Sequence, residues 1–84
     1  MDIAVEISLY PLDADYIPPI QDFIDRLRAH AGLKVVTNQL STQVFGAHER
    51  IFEVLRQEMG TSFAAGGKAI FVTKFIGPYQ PADG

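Results

Sequence analysis

Cysteine is absent from this 84-residue chain, and with it go disulfides, thiolate metal sites and cysteine nucleophiles. Histidine occurs only twice, as His30 and His48, with no metal-ligating or catalytic companion at a suitable spacing. Both read as surface residues: His30 ends the first helical stretch, where a cation favours the helix dipole, and His48 opens the second. Lys and Arg together number 7 and form no block, against 10 acidic residues and a net charge of −3. The basic footprint of a nucleic-acid-binding protein is therefore missing, and no nucleic acid is expected as a partner. No run approaches the roughly 18 apolar residues of a membrane span, and Met1 to Leu9 lack the basic start and long apolar centre of an export signal. A cytoplasmic protein without membrane contact is the expectation.

What is present is an ordinary globular mixture, 48% hydrophobic and 20% charged. The length allows one domain, placed at residues 1–78, with residues 79–84 expected to form a disordered polar tail. A chain this short buries only about 60–65% of its unfolded surface, so self-association would help its stability.

Ile3, Val5, Ile7 and Leu9 alternate with Ala4, Glu6, Ser8 and Tyr10, the period of a strand, and Pro11 ends it. Asp13 and Asp15 offer helix-starting side chains next to Pro18 and Pro19, and Ile17, Ile20, Ile24, Leu27 and Ala31 form the inner stripe of a helix closed by Gly32. Leu33 to Leu40 reads as a second strand, and Thr42 to Phe45 as a third joined to it by a tight connection. A second helix runs from beyond Gly46 to about Met59, with Ile51, Val54 and Leu55 inside and Gly60 as its stop. Ala69 to Ile76 is a last strand that is apolar on both sides, Ile70, Val72 and Ile76 against Ala69, Phe71 and Phe75.

The order βαββαβ predicts an α+β, ferredoxin-like sandwich: a four-stranded antiparallel sheet with two helices on one face. The other face stays bare, with Tyr10, Phe45 and one apolar set of the last strand on it. Pairing of that face with a second copy is the simplest cover.

Glu6, Ser8 and Tyr10 line one side of a central strand. Glu6 either accepts hydrogen bonds from a ligand's amino group or pairs with Lys74 or Lys34 across the sheet. Thr37, Asn38, Ser41 and Thr42 crowd the second hairpin. Turn formation accounts for part of that polarity, while polar groups beside aromatic residues also make a small-molecule site. No nucleophile and base can be paired, so no catalysis is expected. The loop Pro11-Leu12-Asp13-Ala14-Asp15 has the wrong charge for a phosphate cradle, and the last strand lacks the glycines of an RNA-recognition motif.

Ser8-Leu9-Tyr10-Pro11 and Leu40-Ser41-Thr42-Gln43-Val44-Phe45-Gly46, with the element order and the apolar last strand, resemble the YkoF-type thiamine and hydroxymethylpyrimidine-binding family over about Ile3 to Ile76. The resemblance implies ferredoxin-like modules, fused in tandem or single and paired into dimers or tetramers. Its implied ligand is thiamine or its pyrimidine half, and a lone copy implies a homo-oligomer. Ser8, Tyr10, Ser41 and Thr42 carry over from the matched segments, with Thr37 and Asn38 adjoining. Glu6 is added on chemical grounds, as an acceptor for a protonated aminopyrimidine on which Tyr10 or Phe71 could stack. The expectation is a non-catalytic small-molecule binding protein. The second reading is an oligomeric interaction or regulatory module with no ligand.

Overall fold

The computed structural model describes residues 1–79. Strand β1 (Asp2–Pro11), helix α1 (Ile17–Arg28), strands β2 (Lys34–Thr37) and β3 (Thr42–Ala47), helix α2 (His48–Ala64) and strand β4 (Ala69–Ile76) follow one another as βαββαβ. The sheet order is β2-β3-β1-β4, every neighbouring pair antiparallel. This is the ferredoxin-like α+β sandwich that the periodicity predicts.

Alternation along β1 fixes the two faces. Ile3, Val5 and Ile7 are buried with Val44 of β3 against Phe23 and Leu27 of α1 and Ile51, Val54 and Leu55 of α2. Each such side chain taken fully out of water contributes about 1.5–3 kcal/mol, so this cluster drives the fold. Register decides what the sequence left open for β4: Phe75 lies opposite Val5 and Phe71 opposite Leu9, so both phenylalanines join the helix side. Phe71 packs edge-on between Phe23 and Phe63, with centroids 5.1 and 5.3 Å away. Ile70, Val72 and Ile76 go to the other face and remain exposed.

Several boundaries differ from the sequence expectation. In α1 the buried positions are Phe23, Ile24 and Leu27, while Ile17 is exposed and Ala31 lies beyond the helix end. The residue before the helix, Tyr16, makes no side-chain cap. Asp13 instead accepts a bond from the Asp15 N–H at 3.0 Å, stabilising the loop rather than the helix. Gly32 adopts φ +86° in the turn after α1, a conformation that a Cβ would strain.

Helix α2 does not stop at Gly60 but continues to Ala64. A mid-helix glycine costs about 1 kcal/mol, and tertiary contacts beyond it outweigh that: Phe63 packs on Phe71 and Ser62 accepts from Arg26 at 2.7 Å. Strand β2 ends at Thr37 rather than Leu40, because Asn38 begins a tight turn. Tyr79, assigned to the tail, donates its N–H to the Asp2 carbonyl at 2.8 Å and sets its ring against Phe45. The rest of the expected tail, residues 80–84, lies outside the described residues.

His30 is not a free surface residue. Its Nε2 lies 2.6 Å from Glu58 Oε2, between the two helices. His48 is exposed, its ring edge-on to Phe52. No helix among the described residues is long and apolar enough to cross a membrane.

Candidate functional site

The β2–β3 hairpin is shorter than β1. Thr42, the first residue of β3, pairs with Ile7, so Ser8 to Pro11 run on past the hairpin tip, held only by β4 on the other side. A cleft of about 560 Å³ opens at this gap. Ile7, Leu9, Ile20, Phe23 and Ile24 wall it from the helix side, with Tyr16 and Leu12 from the loop before α1 and the turn residues 38–41 across from them. The volume falls in the range of small-molecule sites, and the composition, apolar walls with a few directional polar groups, is what such sites use.

Six of the seven residues singled out in the sequence, Ser8, Tyr10, Thr37, Asn38, Ser41 and Thr42, line this cleft. The six do not all share one face, although Ser8 and Tyr10 do share the bare one as expected. By register Ser8 and Tyr10 belong to the bare face, while Thr37 and Thr42 pair with each other on the helix side, their hydroxyl oxygens 3.1 Å apart. The cleft gathers them because it passes through the interruption in the sheet. Thr42 is buried, so its hydroxyl is committed to Thr37. Asn38 is the first residue of the turn: its Oδ1 accepts the N–H groups of Leu40 at 2.8 Å and Ser41 at 3.0 Å, and its own N–H donates to the Ser41 carbonyl. The turn-forming role accounts for that carbonyl.

Glu6 stands apart. It is half-exposed on the bare face, where its Oε2 accepts the Ser41 hydroxyl at 3.1 Å and Oε1 lies 3.9 Å from Lys74 Nζ. At that distance and exposure the pair with Lys74 is weak. Lys34 does not approach Glu6 but reaches over the Phe45 ring. Glu6 lines a second, smaller cleft of about 260 Å³ with Gln43, Phe45, Lys74 and Tyr79. Phe71, named as a stacking surface, is enclosed on the helix side between Phe23 and Phe63 and has no role on the bare face.

Tyr16, Ile20 and Leu9 are cleft residues that the sequence reading missed. Tyr16 precedes the Ile17-Pro18-Pro19 helix start, and a half-exposed aromatic at a helix entrance was the available signal. Leu9 reads in the sequence simply as one more apolar position of the β1 alternation, and only the early end of the β2–β3 hairpin opens it to a cleft. Among the described residues no group of His, Asp and Glu could hold a metal ion.

The chain is thus a ferredoxin-like module whose sheet is covered on one face and interrupted at one end by a cleft. It belongs to the YKOF-related family, whose model matches residues 2–73. Solved structures of the same fold include protein SP2199 from Streptococcus pneumoniae, 17% identical with a TM-score of 0.85 over 99% of this chain and 94% of that one. A hypothetical protein, MJ1052, from Methanocaldococcus jannascii is 19% identical with a TM-score of 0.81 over 99% and 87%. A Thermotoga maritima protein provisionally assigned to thiamine biosynthesis or salvage is 17% identical with a TM-score of 0.80 over 89% and 82%. No curated protein matches the sequence.

Proposed function

We infer that this protein is a non-catalytic binding protein for thiamine or its hydroxymethylpyrimidine half, working as a homo-oligomer assembled through the bare sheet face. The cleft carries the reading: it gathers six of the seven residues proposed from the sequence around apolar walls at a size suited to one small heteroaromatic molecule. Family membership and the thiamine-related neighbour point the same way. Tyr10 and Tyr16, both half-exposed at the mouth, offer faces for a planar ring. The adjoining loop carries Asp13 and Asp15, which favours a cationic ligand such as a thiazolium.

Assembly rests on Val36, Tyr10, Ile70, Val72 and Ile76, which stand exposed on the face without helices. Apolar side chains concentrated on one uncovered sheet face are the pattern of an interaction surface. Titration calorimetry with thiamine and with hydroxymethylpyrimidine is the test. Saturable heat at micromolar to sub-millimolar concentration supports the reading. No binding below about 1 mM, equivalent to about 4 kcal/mol, removes the ligand and leaves the interaction module. Light scattering that finds a monomer removes the assembly.

A further inference from the structure

The backbone of β1 has one interruption in its hydrogen bonding, and it lies in the cleft. In an antiparallel strand each residue turns its N–H and C=O to the same side, and successive residues alternate sides. Two bonds fix the phase in β1. The Met1 carbonyl accepts from His48 N–H on the β3 side, and Leu12 N–H donates to the Lys68 carbonyl on the β4 side. Odd residues therefore face β3 and even residues face β4, so the ladder to β4 uses Ser8 and Tyr10 and leaves Leu9 pointing across the gap. The β1–β3 pairing ends at Ile7 and Thr42. Continued register would bring Leu40 opposite Leu9, but the Leu40 N–H is already given to Asn38 Oδ1 and the hairpin has turned away. Among the described residues neither the N–H nor the C=O of Leu9 has a protein partner.

The geometry points to Leu9 as the element that reads the ligand's hydrogen-bonding edge: its N–H donates to a ring nitrogen while its C=O accepts from an adjacent exocyclic amino group. This rests on the proposed aminopyrimidine ligand and gives the cleft its chemical specificity. The N–H and C=O of one extended residue lie side by side, as the closely spaced bonds of an antiparallel ladder show, and a 4-aminopyrimidine presents an acceptor and a donor on neighbouring atoms. A peptide strand suits this edge poorly. The next residue facing the gap is Pro11, which has no N–H, so only one donor–acceptor couple is on offer before the edge closes. The flanking walls, Phe23 and Ile20 on one side and Tyr10 and Tyr16 at the mouth, leave a planar ring as the natural occupant. Asn38 gains a role as well: by holding Leu40 in the turn it keeps the Leu9 edge from being paired internally.

The test follows individual amides and the ligand edge together, using the full chain. In the free protein, amide hydrogen exchange at Leu9 should be at least tenfold faster than at Val5 and Ile7, which face β3 and are paired. Thiamine should slow Leu9 at least tenfold. Oxythiamine, in which an oxo group replaces the amino group and inverts the donor pattern, should bind at least tenfold more weakly. Replacing the Leu9 amide N–H by an ester oxygen through chemical synthesis keeps the side chain and the β4 ladder, and should weaken thiamine at least fivefold with an unchanged circular dichroism spectrum. Thiamine bound with equal affinity by the ester chain, or oxythiamine bound as tightly as thiamine, overturns the Leu9 assignment and leaves the proposed function standing. Slow exchange at Leu9 in the free protein overturns it without any ligand. Failure of both thiamine and hydroxymethylpyrimidine to bind removes the two readings together.

Discussion

Two glutamates on opposite sides of the molecule show what separates a structural carboxylate from an available one. Glu58 is buried between α1 and α2, 5% exposed, with Arg26 Nη1 at 2.6 Å from Oε1 and His30 Nε2 at 2.6 Å from Oε2. Arg26 also donates to the Glu58 carbonyl at 2.9 Å and to Ser62, so the two helices are tied at one point by a satisfied network. Glu6 on the bare face has one hydroxyl donor and a distant lysine. A buried ion must be matched by its surroundings, whereas a half-exposed one keeps spare acceptor capacity. The first carboxylate belongs to the fold; the second is free for a partner or ligand.

The contrast can be broken most strongly at Glu58. Glu58→Ala strands Arg26 and His30 at the helix seam, and urea unfolding should show a loss of about 3 kcal/mol. A loss under about 1 kcal/mol would mean that solvent replaces the network. The same residue sets an acid response. Burial by itself would raise the Glu58 carboxyl, but the hydrogen bonds and charges of His30 and Arg26 outweigh it and hold the group below its ordinary value. A lowered folded value gives stability that is present above the ordinary carboxylate range and is lost as pH falls through the folded value. Wild-type stability should therefore fall in acid, and the slope should be smaller in Glu58→Gln.

The helix side can be probed next at Gly46, where a Cβ would come within 2.7 Å of Leu33 Cδ2 and 3.3 Å of the Gly32 carbonyl. Gly46→Ala should cost about 1–2 kcal/mol in thermal or urea unfolding, because the close-packed side has no slack. On the bare face, Val72→Asp should dissociate the proposed oligomer, read by light scattering against wild type, while changing the unfolding free energy of the isolated subunit by less than about 1 kcal/mol. An intact oligomer would move the interface elsewhere. The smallest effect belongs to Lys74→Ala, expected within about 0.5 kcal/mol of wild type because its ion pair with Glu6 is long and exposed.

The same two sides explain how much was legible beforehand. The period-2 alternation of β1 and the apolar stripes of both helices gave the βαββαβ order, since local burial pattern and element type are written in the same residues. Element ends were less legible. Gly60 reads as a stop because propensity is local, while the contacts that carry α2 past it come from Arg26 and Phe71, distant in sequence. Of the site, the polar crowding at Thr37 to Thr42 was visible, yet its division between turn-making and cleft-lining was not. Asn38 Oδ1 could serve a ligand or its own backbone equally well until the turn is seen.

Glu58 and His30 are the plainest case of what a linear reading lacks. His30 lies just past the end of α1 and Glu58 inside α2, 28 positions apart, and only the packing of α1 on α2 makes them partners. By itself the sequence determined the fold class, the strand that becomes central and the exclusion of cysteine chemistry, because these follow from residue type and period. The tertiary structure alone decided which apolar set of β4 faces the helices, since both sets satisfy the period and only register against Val5 and Leu9 separates them. It also decided that the cleft sits where β1 outruns the β2–β3 hairpin, because a difference in strand length becomes an opening only once the strands lie side by side.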